Sequence, residues 1–281
     1  MRGQFAQWLS LWKETRAQRQ LEATLTLAGE PHLVAAARER FFARDAVPGV
    51  WNGSVSELDR FISDSSELLI VFVEARHEEA ATRMLARSHP QGGAVLAVDE
   101  GPVATGRARY VALRCQRLSF ADTPRGWERL FEAVAEVGGD RAVALGRRYP
   151  VLRSAVARSV IERAALENGL LGLAVFLPGA DLPLMTRNQA RMVLTLAALY
   201  GENVDLDRIP ELALVLAGGV SFRAVARALS RLLPGVGALV KGGTGYAGTL
   251  ALGWAAARYF EHGAPLAASR LLPALAKLPE R

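Results

Sequence analysis

Glu67–Ser88 reads ELLIVFVEARHEEAATRMLARS, and its two parts follow different rules. Glu67–Ala75 is an almost unbroken apolar run rich in β-branched and aromatic residues, the pattern of a strand covered on both faces. His77–Ser88 mixes charged residues with Ala, Met and Leu and is predicted to be a helix. A doubly buried strand followed directly by a helix predicts a mostly parallel sheet with flanking helices.

Working outward, the same alternation recurs. Ala23–Glu30 (ATLTLAGE) is predicted to be a strand, and PHLVAAARERFF a helix opened by Pro31, a favoured first-turn residue. Ser56–Phe61 reads as a short helix. Gly92–Asp99 and Arg109–Gln116 read as further strands. Pro124–Val137 reads as a helix capped by Asp122 or Thr123.

Beyond about residue 146 the pattern is helical throughout, in five pieces. These are Tyr149–Leu177, Thr186–Gly201, Asp205–Leu233, Gly235–Gly263 and Ala264–Leu278. Gly201 stands where a helix C-cap is expected. The expected organisation is an amphipathic helix over 1–22, an α/β domain over 23–145 and an all-α domain over 146–281.

The 281 residues carry a net charge of +6 and are 51% hydrophobic and 22% charged, enough apolar material for real cores. Residues 1–160 hold 22 Lys/Arg and 19 Asp/Glu, against 12 and 9 in residues 161–281, so the second half is the greasier. The sequence pI near 10.0 fits an anionic partner, and without a recognition motif nucleic acid is the weaker choice. A single cysteine, Cys115, excludes an intramolecular disulfide, and the four His residues lack zinc-ligand spacing. A reducing cytoplasmic face is the natural setting.

Four motifs invite a nucleotide reading. LTLAGEPHLVAAA has a strand, Gly29 and a helix, but lacks the Gly-Lys-Ser/Thr that cradles phosphates, and Glu30 sits where an anion should bind. It reads as a structural strand–helix junction. ADTPRGW has the residues of a helix start. AVLAVDEG is not preceded by the Asn-Lys that guanine recognition needs. Gly243–Gly248 (GTGYAG) matches a dinucleotide fingerprint by letter, yet stands in a helical region without a preceding strand. No nucleophile–base pair or paired carboxylate stands out, so catalytic, cofactor and metal sites are expected to be absent.

Helix packing accounts for the glycines better. Gly245, Thr249, Gly253 and Ala257 recur every four residues, as do Ala247, Ala251 and Ala255, and small residues at this spacing let helices approach closely. Membrane contact is the other expectation. Phe5, Trp8 and Trp12 share a face of a basic N-terminal helix, and Arg223, Arg227 and Arg231 form a basic stripe beside apolar residues. The longest uncharged window, Gly242–Ala257, is shorter than the ~20 residues of a spanning helix.

A polar group interrupts the apolar run between Phe176 and Gly201. Pro178, Gly179 and Pro183 are expected to end one helix and form a bend, with Asp181 or Thr186 capping the next. Asn188, Arg191 and Thr195 then lie where they can bond to adjoining helices, with Asp205 or Asp207 as further partners. Asp181, Thr186, Asn188 and Arg191 are the expected polar seam.

The segments NGLLGLAVFLPGADLPLMTRNQARMVLTLAALYG, PELALVLAGGVSFRAVAR, LPGVGALVKGGTGYAGT and ARYFEHG resemble, in order, the bacterial domain of unknown function 697 family, over roughly residues 150–262. The resemblance implies a membrane-associated helical domain of the kind found alone or behind Era-like GTPases. The preceding α/β region is similar in layout to such a GTPase or Rossmann-like domain but lacks its nucleotide motifs, which implies a degenerate relative. The family offers no established catalytic residues. The expected function is therefore non-enzymatic: an interaction or scaffold protein on the cytoplasmic face of the membrane. Its partners would be anionic lipid and an unidentified protein, with homo-oligomerisation open and no cofactor. A nucleotide-binding switch and a soluble helical scaffold are the alternatives.

Overall fold

In the computed structural model, residues 23–42, 68–88, 93–99, 107–110, 115–174, 182–202 and 237–262 are described. The expected helix at Ser56–Phe61 lies outside them. So do the N-terminal helix with Phe5, Trp8 and Trp12, the stripe of Arg223, Arg227 and Arg231, and Asp181, Asp205 and Asp207.

The chain divides into two compact units, Met1–Ser159 and Val160–Arg281. In the first, β1 (Leu25–Gly29), β2 (Leu68–Glu74), β3 (Ala94–Asp99) and β5 (Cys115–Phe120) run parallel. β4 (Arg107–Tyr110) pairs antiparallel with β5, giving the order β1-β2-β3-β5-β4. This is an α/β domain with a mostly parallel sheet. Among the described residues, the α-helices of this unit are α1 (Pro31–Phe42), α2 (Glu78–Ser88), α3 (Pro124–Gly138), α4 (Ala142–Arg148) and the start of α5 (Arg153–Ala174).

One expected strand divides. Arg109–Gln116 spans the end of β4 and the start of β5, with Tyr110 opposite Cys115. The chain reverses between them although RYVALRCQ holds no Gly, Pro, Asn or Asp to announce a turn.

Burial explains why β2 and β3 are apolar at every position before their final carboxylates, Glu74 and Asp99. Leu69, Val71 and Val73 face one side of the sheet, in a cluster with Ala81, Met84 and Leu85 of α2. Their neighbours face the other side, where Trp127 of α3 meets Phe120 at 5.0 Å and Phe72 at 6.1 Å between ring centroids. Trp127 is 2% exposed and both phenylalanines are fully buried. Burying each such ring contributes about 1.5–3 kcal/mol. Asp122 accepts the Trp127 indole N–H at 2.6 Å, and the Arg40 guanidinium covers the ring at 4.7 Å.

The chain after α4 remains part of this layer. The Tyr149 hydroxyl accepts the Leu25 amide at 3.3 Å, and Leu152 and Val156 are fully buried. Residues 146–159 thus fall within the sheet unit.

The described part of the second unit consists of the rest of α5, α6 (Leu182–Leu199) and α7 (Gly237–His262). α6 begins earlier than expected, with Pro183 in its first turn, where a missing N–H costs nothing. Thr186 therefore lies a turn inside the helix and does not cap it. α6 ends as expected at Gly201, whose φ of +79° suits glycine, with the Glu202 amide donating to Ala197 O at 2.9 Å.

Candidate functional site

The carboxyl ends of the parallel strands are where open α/β sheets bind ligands. Here β1 ends at Gly29, whose φ is +112°. A Cβ at this position would lie 2.8 Å from the Phe72 carbonyl carbon, 2.9 Å from its nitrogen and closer still to its oxygen. The following amide, Glu30 N, donates to Phe72 O at 2.9 Å. The Glu30 carboxylate is held by His77 Nδ1 at 3.0 Å. The glycine serves the close approach of two backbones, and an acid occupies the helix start. That is the geometry of a structural junction and not of a phosphate cradle.

Nearby, Arg117 donates from Nε and Nη2 to the two carboxylate oxygens of Glu78 at 2.8 and 3.0 Å, and from Nη1 to Ser119 Oγ at 2.7 Å. A bidentate pair of this kind fixes the start of α2 against β5. At ADTPRGW, Thr123 Oγ1 accepts the Gly126 amide at 3.1 Å and Pro124 opens α3, so the capping residue is Thr123. Asp122 holds the indole instead. Burial pushes the Cys115 thiol up to about 11, against the backbone hydrogen bond at Leu96 that lowers it. Such a thiol is inert as a nucleophile. Among the described residues no group of three or more His, Cys, Asp or Glu could hold a metal ion.

The densest polar constellation lies in the helical unit. Asn168 of α5 is fully buried on the stripe formed by Ile161, Ala164 and Ala165. Its Nδ2 donates to Thr249 Oγ1 of α7 at 2.8 Å and to Met185 O of α6 at 3.4 Å. Its Oδ1 accepts from Asn188 Nδ2 at 2.9 Å, and Asn188 also donates to Ala164 O at 3.0 Å. Gln189 Nε2 reaches the same Thr249 oxygen at 3.1 Å, and that hydroxyl donates to Gly245 O at 2.7 Å. Three helices are thereby tied by amides and one hydroxyl, all neutral.

Of the expected seam, Asn188 takes part as expected. Thr195 does not: its hydroxyl bonds back to Arg191 O of its own helix at 2.8 Å, the habit of Thr inside helices. Arg191 is exposed and stands apart. Asn168 and Gln189 were the missed members. The available signal was a lone amide on an otherwise apolar helical stripe, which needs partners when buried.

The small-residue ladder faces inward as expected. A Cβ on Gly245 would meet Met185 Cε at 2.5 Å and Asn168 O at 2.9 Å, and one on Gly253 would meet Ile161 at 2.7 Å and Met192 Sδ at 3.0 Å. Thr249 and Ala257 are buried between and beyond them. The parallel ladder of Ala247, Ala251 and Ala255 points outward, beside Tyr246 and Trp254, each 39% exposed. On α5, Leu166, Leu170 and Leu173 are exposed at 57%, 55% and 39%, and Leu184 opens α6 at 48%. Among the described residues, no helix is long and apolar enough to cross a membrane.

No protein-family model matches the chain. No curated protein matches it, and no solved structure does.

Proposed function

We propose that the chain is a non-enzymatic, membrane-associated bacterial protein with an interaction or scaffold role. In this reading the helical unit is of the domain of unknown function 697 type and lies on the cytoplasmic face of the membrane. The α/β unit is a degenerate GTPase-like module that contacts another protein. The observation carrying the reading is the outer apolar surface of the helical unit. Leu166, Leu170 and Leu173 line one exposed stripe of α5, and Tyr246 and Trp254 flank an uncharged outer face of α7 that runs on to Arg258. Contiguous exposed apolar surface marks an interaction site, and Tyr and Trp are favoured where lipid meets water. The basic residues of the N-terminal segment and Arg223, Arg227 and Arg231, all read from the sequence alone, would add attraction for anionic headgroups.

Cosedimentation with phosphatidylglycerol vesicles at low salt tests this. The protein should pellet with the vesicles, and Leu170→Glu together with Trp254→Glu should return most of it to the supernatant. Full recovery of the unaltered protein in the supernatant refutes the membrane reading and leaves a soluble helical scaffold.

A further inference from the structure

We propose that, of the two exposed apolar stripes, it is α7 that lies flat on an anionic bilayer, with Trp254 among the headgroups and Arg258 on their phosphates, and that the leucines of α5 face away from it. This rests on the membrane reading above and decides which apolar face meets lipid. Asn168 of α5 and Thr249 of α7 meet at 2.8 Å. Positions two residues apart on a helix lie about 160° around its axis. Leu166 and Leu170 each stand two residues from Asn168, and Ala247 and Ala251 two residues from Thr249. The two exposed stripes therefore point away from each other. A flat surface lying along one leaves the other on its far side.

Charge selects α7. The leucines of α5 stand among exposed Glu162, Arg163 and Glu167, and the two carboxylates would be pressed against anionic headgroups. On α7, Tyr246, Ala247, Ala251, Trp254 and Ala255 are exposed and uncharged, and the next exposed residue is Arg258. The one acid of this helix, Glu261, comes only in its last turn. A tryptophan followed one turn later by an arginine suits the boundary where acyl chains meet phosphates. Size argues against a second copy of the chain as the occupant. From Tyr246 to Arg258 the face is about 18 Å long and about 10 Å wide, on the order of 200 Å². A stable protein interface takes about 800 Å² from each partner. A bilayer sets no such minimum, because binding grows with each apolar group buried and adds to the attraction of anionic lipid.

Site-specific labelling tests it in the full chain with Cys115→Ala. A nitrobenzoxadiazole dye is placed on a single cysteine, Ala251→Cys or Leu170→Cys, and phosphatidylglycerol vesicles are added at low salt. The dye at 251 should brighten severalfold, and the dye at 170 should keep its intensity in buffer. Ala255→Cys gives a second position on the same face of α7 if labelling at 251 disturbs the circular dichroism. In cosedimentation, Ala251→Glu and Arg258→Glu should each weaken vesicle binding about tenfold, and Leu170→Glu by less than about twofold. If the unaltered protein binds no vesicle, the membrane reading falls and this inference with it. If it binds, but the dye at 170 brightens as much as the dye at 251, or Ala251→Glu and Arg258→Glu bind like the parent, the membrane reading stands and the assignment to α7 is overturned. Brightening at 251 without vesicles, rising with protein concentration, overturns it in favour of a second copy.

Discussion

Replacing Gly29 with alanine should destabilise the α/β unit by about 3–4 kcal/mol, for reasons that separate cleanly. An L-residue held at positive φ costs about 1–2 kcal/mol. The φ of +112° lies outside the left-handed well, so the upper end applies. The new methyl group would overlap the Phe72 carbonyl, with the carbonyl carbon only 2.8 Å away. Backbone cannot rotate aside as a side chain can, so β1 and β2 must separate at their ends. That separation breaks the Glu30 N to Phe72 O hydrogen bond, worth about 1 kcal/mol net. It also loosens packing around fully buried Phe72. Domains of this size hold about 5–15 kcal/mol in total, so the loss is a large fraction. Urea unfolding followed by circular dichroism measures it. A loss under 1 kcal/mol would refute the backbone-approach argument and return Gly29 to consideration as part of a ligand loop. Isothermal titration of the unaltered protein with GTP, GDP and ATP should correspondingly show no heat.

Asn188→Leu should cost about 2 kcal/mol, because it strands the buried Asn168 Oδ1, whereas exposed Arg191→Leu should stay within about 0.5 kcal/mol; thermal melts of the pair give the contrast. Thr123→Ala should cost about 1 kcal/mol through loss of the α3 cap, read from the shift in urea midpoint. Cys115 should resist a disulfide reagent at pH 8 until the protein unfolds. Its folded value of about 11 lies above the ordinary 9.0, so the folded state keeps its proton longer. The stability this contributes is complete below pH 9 and falls away as pH rises through about 11. A Cys115→Ser variant should lose that part of the alkaline decline. Equal alkaline profiles would remove the thiol as its cause.

How much of this was legible in the sequence follows from the range of each interaction. Leu68–Glu74 was readable as a strand because burial on both faces leaves an apolar run that no amphipathic helix produces. The ladder at Gly245, Thr249, Gly253 and Ala257 was readable because a helix repeats within its own length. The β4–β5 reversal was not, since its residues lack turn chemistry and the pairing partner alone decides where the strand ends. The polar network was half readable. Asn188 lay in a visible polar cluster, but Asn168 meets partners 20 and 81 residues away, and no local pattern announces such a meeting. Arg191 shows the converse limit: it neighbours the Asn188 stripe on the helix wheel, and only the placement of adjacent helices puts it outside. Thr186 falls inside α6 and not at its cap because Pro183, a residue that locally signals a helix end, belongs to the first turn of this helix.

The two tryptophans among the described residues occupy opposite surroundings, and this gives the protein a built-in optical readout. Trp127 is buried, edge-to-face with Phe120 and tilted against Phe72, with its indole N–H bound to a carboxylate. Its emission should be blue-shifted and should move red only when the sheet unit melts. Trp254 is 39% exposed on the helical unit and should emit further to the red from the start. Variants keeping one or the other as the sole tryptophan would report each unit separately. One chain could then show whether the sheet and the helices unfold together or in turn, without any attached dye.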